Sequence, residues 1–159
     1  MIFVVLGTHE LPFTRLLDEI EYLVKDGTIT EDVLVQNGHT KYESETLNLV
    51  PFMSFEEMDQ TFDKARIIIA HGGTGSIITG VKKGKSVIAV PRLAEHGEHN
   101  DDHQIEIVEQ FDSAGHIIGT ESPAEVEQAL KRAETFEPVP FQSGKEKILH
   151  MLEDFIDRV

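Results

Sequence analysis

Short apolar runs alternate with amphipathic segments along this chain. Met1 to Leu6 is almost wholly apolar and stops at Gly7-Thr8, as expected of a parallel strand buried on both faces. From Leu11 to Lys25 the apolar residues Leu16, Leu17, Ile20, Leu23 and Val24 recur at helical spacing. Val33–Gln36 reads as a strand closed by the turn Asn37-Gly38, and Leu47–Val50 as another, stopped by Pro51. Ser54, with Glu57 three residues on, predicts a capping box opening a helix over Phe55–Lys64. The pattern then gives a strand at Arg66–Ala70, a helix at Thr74–Lys83 ended by Gly84, and a strand at Ser86–Val90 ended by Pro91. It continues with a helix at Asp101–Phe111, a short strand at His116–Gly119 and a helix at Pro123–Ala133 capped by Ser122. Pro138-Val139-Pro140 sets off a last helix, Ser143–Arg158.

This alternation predicts an α/β fold with a mainly parallel sheet and helices on both faces. Ligands of such sheets bind at the carboxyl ends of the strands. Gly7-Thr8, Gln36-Asn37-Gly38, Ala70-His71-Gly72-Gly73 and Val90-Pro91-Arg92 should therefore line one edge. At 159 residues the chain reads as one domain, residues 1–159, with a ligand-binding role. Its net charge of −15 repels nucleic acid and anionic lipid, so both are excluded as direct partners. An anionic ligand has to be held locally, by backbone amides and a few placed cations. With no cysteine there is neither a disulfide nor a thiolate metal site, which fits a cytoplasmic location. The opening apolar run lacks a basic flank and is too short for a signal peptide or a membrane span.

Among the strand ends, Ile67 to Ser76 stands out: four apolar residues, His71, then Gly72-Gly73-Thr74-Gly75-Ser76 opening a helix. Glycines there permit positive φ or close backbone approach. Thr74 and Ser76 are able to cap the helix or donate to an anion. The free N–H groups and positive dipole end of such a helix make a diphosphate cradle. It is no dinucleotide fingerprint, because Ile78 stands where a third glycine belongs. Gly84-Lys85-Ser86 is no Walker A loop either, because Thr79 replaces the required glycine and the order is helix to strand. His71 is read as facing the ligand or as satisfied by backbone.

Two further segments carry polar groups. In the run from Arg92 to Gln104, His99 and His103 lie four apart with Glu98 and Asp102 alongside. That spacing suits a metal, a solvated helix start with Asp101 and Asp102 at the positive dipole end, or a loop reading sugar hydroxyls. In the run from Gly7 to Arg15, Thr8 is free to cap or bind. Arg15 sits early in a helix, where a cation calls for a carboxylate partner or a bound anion unless it is simply exposed.

Taken in order, Gly-Thr-x-x-x-Pro-Phe-x-Arg-Leu, Gln36-x-Gly38, His71-Gly-Gly-Thr-Gly-Ser76, Val90-Pro91-Arg92 and Glu98-His99-x-Asp-Asp-His103-Gln104 resemble the small Alg13-like glycosyltransferase subunits and their bacterial exopolysaccharide relatives. These are similar to the C-terminal, donor-binding half of GT-B enzymes such as MurG, a Rossmann-like domain. The resemblance covers nearly the whole chain. It implies an inverting transferase that moves a hexose from a UDP-sugar to a lipid-linked acceptor, without a metal or other cofactor. It places the UDP-sugar against Gly7, Thr8, Arg15, Gln36, Gly38, the turn His71–Ser76, Thr79, Arg92, Glu98, His99, Asp102, His103 and Gln104. The glycine turn would take the diphosphate, and the Asp-His-Gln helix start the sugar. The acceptor half, with the general base, would come from a membrane-associated Alg14-like partner that recruits the chain to the inner face of the membrane, so no catalytic residue is named here. The 141–159 segment, with its apolar stripe, would dock on that partner or pack on its own domain. One departure concerns the ribose: MurG-like enzymes carry a glutamate in the helix after the glycine turn, where this chain has Thr79. The alternative function is a non-catalytic nucleotide-binding or enhancer subunit.

Overall fold

The computed structural model describes residues 1–141. Six strands form one sheet: β1 (Ile2–Val5), β2 (Val33–Gln36), β3 (Asn48–Val50), β4 (Ile67–His71), β5 (Ser86–Val90) and β6 (Ile118–Gly119). Their order is β3-β2-β1-β4-β5-β6, and every pairing is parallel. The order reverses between β1 and β4, where Val5 pairs with Ala70. In a doubly wound sheet the crevice opens beyond the carboxyl ends of the strands at such a reversal.

Both faces of the sheet are buried because the central strands are apolar at every position except Ser86 and His71. Ile2 and Val4 of β1, Ile67 and Ile69 of β4, and Ile88 and Val90 of β5 point to one face. There they meet Leu16, Leu17, Ile20 and Leu23 of α1 (Thr14–Lys25) and Val126, Ala129, Leu130 and Ala133 of α5 (Val126–Ala133). Phe3, Val5, Ile68, Ala70, Val87 and Ala89 face the other way. They pack on Phe62 of α2 (Phe55–Lys64), Ile77 and Val81 of α3 (Thr74–Lys82), and Val108 and Phe111 of α4 (His103–Ser113). Gly80 lets α3 lie close to the sheet, since a Cβ there would come within 2.5 Å of Val87 Cγ2.

The elements expected within the described residues are present, with shifted ends. Helix α1 begins at Thr14 rather than Leu11 because Pro12 keeps the residue before it out of the helical region. Helix α4 begins at His103 rather than Asp101, whose Oδ1 instead accepts the His103 N–H at 3.0 Å in an Asx turn. Pro123–Glu125 is a single 3-10 turn, α5 starts after it, and the Ser122 hydroxyl makes no cap bond. The expected helix Ser143–Arg158, and with it nearly all of the 141–159 docking segment, lies outside the described residues. No helix among the described residues is long and apolar enough to cross a membrane.

The capping box is formed: Glu57 N–H donates to Ser54 Oγ and Ser54 N–H to Glu57 Oε1, each at 3.1 Å. No side chain caps α3, whose N-cap is Gly73, so Thr74 and Ser76 do not serve the capping role expected of them. Ser54→Ala should therefore lower the unfolding free energy by about 1 kcal/mol. Thr74→Ala should leave it within about 0.5 kcal/mol of the parent. Denaturant titration of both variants checks the contrast.

Candidate functional site

A cleft of about 630 Å³ opens at the β1/β4 reversal. Val5 at the end of β1, Gly7, Thr8 and His9 after it, and Gln36 at the end of β2 form one side. His71, Gly73, Gly75, Ser76 and Thr79 at the end of β4 and the start of α3 form the floor. Phe52, Met53, Phe55, Met58, Asp59 and Phe62 form an apolar wall that the sequence reading did not assign. Phe52 and Phe55 remain 53% and 87% exposed, so they are rim residues and not core.

The glycine turn does its work by close approach. None of Gly72, Gly73 and Gly75 has a positive φ, contrary to one of the reasons expected for them. A Cβ on Gly73 would come within 2.4 Å of the His71 ring, and one on Gly72 within 2.8 Å of Gln104 Cβ. Gly75 differs, for a Cβ there would meet nothing within 4 Å. Glycine inside a helix costs about 1 kcal/mol relative to alanine. Packing gives no return for it at Gly75, but the position lines the cleft, where a ligand can come up to the backbone. The first-turn N–H groups of α3, uncapped by any side chain, are there to meet an anion.

His71 sits between the two loops. Its ring fills the space in front of both Gly7 and Gly73, since a Cβ on Gly7 would come within 2.5 Å of His71 Nε2. Arg92 Nε and Gln104 Nε2, both obligate donors, lie 3.4 and 3.3 Å from His71 Nδ1. Nδ1 is thus the acceptor, and the neutral ring carries its proton on Nε2. Burial pushes the His71 pKa down to about 3, and the Arg92 charge adds to that.

Several residues expected to touch ligand have side chains committed to neighbouring backbone and to one another's loops. Arg92 is 1% exposed. Its guanidinium donates to the carbonyls of Leu6 at 2.7 Å, Leu11 at 2.7 Å and Glu98 at 3.2 Å, and lies 5.2 Å from the centre of the Phe13 ring. Burial lowers its pKa to about 10, opposed by the Glu98 charge, so it stays a cation. Glu98 is buried and holds Arg15 in a two-point pair at 2.6 and 2.9 Å, and it accepts the Leu93 N–H at 3.0 Å. Arg15 therefore answers to a carboxylate, one of the two partners expected. Gln104 Oε1 accepts the N–H groups of Gly72 and Arg92, each at 3.0 Å, tying the ends of β4 and β5 together. Gln36 accepts the Gly7 N–H at 2.9 Å and donates to the carbonyls of Gly7 and Pro51. Gly38, with φ +54°, lies against Gly7 so closely that a Cβ would come within 2.4 Å of its carbonyl oxygen.

Of the remaining expected residues, Thr79 lines the cleft and His99, Asp102 and His103 lie outside its lining. Asp102 accepts the Ala94 N–H at 2.9 Å, and His103 Nε2 is 4.0 Å from Asp101. Among the described residues no group of three or more His, Asp and Glu is placed to hold a metal ion. The loop meets the cleft lining where His99 stacks on His9 with ring centres 4.3 Å apart. The Thr79 hydroxyl lines the cleft and donates back to the Gly75 carbonyl at 2.9 Å.

Residues 1–159 match the glycosyltransferase family 28 C-terminal domain, and the chain belongs to that family. Two proteins named UDP-N-acetylglucosamine transferase subunit ALG13 are similar in sequence. The Candida glabrata protein is 28% identical over 129 residues, 80% of this chain and 59% of its own length. The Yarrowia lipolytica protein is 28% identical over 80 residues, 50% of this chain and 39% of its own. The chain thus spans only part of both relatives. The solution structure of ALG13 superposes with a TM-score of 0.62 at 19% identity, covering 95% of this chain and 93% of that one. Acinetobacter baumannii MurG gives 0.55 at 16% identity, covering 80% of this chain and 40% of that one. The fold is thus the Rossmann-like half of a GT-B architecture.

Two predictions test the frame. Arg92→Met strands three carbonyls and should lower the unfolding free energy by about 3 kcal/mol or more, measured by denaturant titration. His71 binds fewer protons folded than unfolded, so its contribution to stability is complete above its unfolded pKa near 6.5. It is lost at up to about 1.4 kcal/mol per pH unit as pH falls from there toward 3. Chemical denaturation at pH 7 and pH 5 should show a larger acid loss in the parent than in His71→Gln.

Proposed function

We propose that this chain binds a UDP-sugar in the β1/β4 cleft and serves as the donor half of an inverting hexosyltransferase. Gly75 is the observation that carries this reading: a helical glycine whose added Cβ would meet none of the described residues within 4 Å, on the cleft surface at a helix N-terminus that no described side chain caps. A diphosphate lies there against the N–H groups of α3, with His71 Nε2–H and the Thr8 and Ser76 hydroxyls within the same cleft. As the sugar leaves, negative charge grows on the β-phosphate. Fixed N–H dipoles at that point stabilise it without reorganising, so the chemistry needs no metal. The flat base suits the bare faces of Phe52 and Met53. Thr79, Asp59 or both meet the ribose hydroxyls, in place of a glutamate on α3.

The sugar extends toward the His9–His99 stack and the loop carrying Asp102 and His103. The acceptor and the general base belong to a second, Alg14-like polypeptide, which brings the chain to a membrane. Support for a divided enzyme comes from the sequence relatives, each named as a transferase subunit. The lipid-linked acceptor and a role in polysaccharide synthesis follow from the same family likeness.

Gly75→Val tests the cradle better than a change at Gly73, which would also strike the His71 ring. The variant should fold with the parent's melting temperature and bind UDP at least about tenfold more weakly, a loss of about 1.4 kcal/mol. Unchanged affinity in a folded Gly75→Val protein would reject the cradle. Transfer of labelled sugar by the chain mixed with its partner, and not by the partner alone, separates a catalytic subunit from a passive binding module.

A further inference from the structure

The cleft has an electrostatic peculiarity. Among the described residues that line it there is no lysine and no arginine. Arg15 and Arg92 are close by but committed to Glu98 and to backbone carbonyls. The whole chain carries a formal charge of −15. A diphosphate diester brings two further negative charges into this field. The ionisable lining residues are His9, Asp59 and His71. Asp59 is paired with Lys83 at 2.8 Å. His71 is buried with Nδ1 between two donors, so its ring stays neutral. That leaves His9.

His9 is half-buried on the cleft wall, next to Gly7 and Thr8. One face of its ring stacks on His99. Its Nδ1 accepts the Leu11 N–H at 3.1 Å, so the neutral ring carries its proton on Nε2. We propose that His9 is the counter-charge of the cleft: it takes up one proton when the diphosphate binds and donates its Nε2–H to a phosphate oxygen. This rests on the reading of the cleft as a nucleotide-sugar site. The added proton enters at Nδ1, the Leu11 N–H is released, and the ring keeps its stack on His99.

The surroundings explain why the proton arrives only with the ligand. Burial, His99 and Arg92 hold the free His9 below its ordinary pKa, and Glu10 and Asp101 work against them more weakly. His71, behind the ring, is neutral, and Asp59 stands across the cleft in its pair with Lys83. A bound dianion next to the ring reverses the balance in favour of the imidazolium. The sign follows from linkage: the complex holds more protons than the separate partners, so affinity falls as pH rises. Loss of that charge at high pH also loosens the leaving diphosphate.

Titration calorimetry of the full chain with UDP-N-acetylglucosamine tests this, because its diphosphate diester does not titrate near neutrality. Runs at pH 7 in two buffers of different ionisation enthalpy count the protons. The parent should take up about half to one proton per ligand, and its affinity should fall about five- to thirtyfold from pH 6 to pH 8. His9→Gln should still bind, about tenfold more weakly at pH 6, with proton uptake near zero and a flat pH profile. Binding by the parent without proton uptake, or unchanged uptake in His9→Gln, would overturn the role of His9 and leave the nucleotide-sugar reading standing. Absence of any binding by the parent would overturn both.

Discussion

The site depends on one buried cation. Arg92 leaves the end of β5 and, in a space closed to water, binds the carbonyls of Leu6, Leu11 and Glu98 while touching His71. These groups belong to the end of β1, the loop after it, the loop before α4 and the end of β4. Burying an unneutralised charge is costly, and a guanidinium repays it only when its donors all find acceptors. That requirement holds three loops in register. Glu98 repeats the device one layer out, gripping Arg15 at the start of α1. Among the described residues, Asn37 Oδ1 is the one buried side-chain polar atom left without a partner.

The consequence is a division of labour among polar residues. Gln36, Arg92, Glu98 and Gln104 spend their hydrogen bonds on backbone, Arg15 and His71. The cleft keeps neutral donors: the start of α3, two hydroxyls and two imidazole N–H groups. Such a surface suits a ligand that must be held firmly as an anion and then released. With no lysine or arginine among the described residues that line the cleft, little holds a diphosphate once the imidazole gives up its proton.

Much of this was legible in the residues. The apolar run into His71-Gly72-Gly73 gave the strand, the turn and the helix, and the four punctuated strand ends do meet along one edge. Membership of the family followed from the order of short motifs. The direction of side chains was not legible. Sequence spacing says that Arg92, Glu98 and Gln104 are able to bind hydroxyls or phosphates. It does not say that their partners are backbone groups up to 86 residues away. Positive φ was a fair reason for the glycines of the turn, but the neighbours that demand them, His71 and Gln104, become visible only in three dimensions. The wall of Phe52, Met53, Phe55 and Met58 was missed because apolar residues at the start of an amphipathic helix look the same whether they face a core or a cleft. His9, between a turn and a proline, carried no pattern at all; its stack on His99 is what places it.

The central claim is that the crevice at the β1/β4 reversal receives a nucleotide diphosphate at the start of α3. Backbone amide NMR of the full chain during a titration with UDP tests it most directly. The account predicts saturable shifts concentrated at Thr8, His9, Gly75 and Ser76, with smaller ones at Phe52 and Met53, and little change along α5. Saturable shifts confined to α5 or to the outer face of α4, with the amides of Gly75 and Ser76 unmoved, would contradict it.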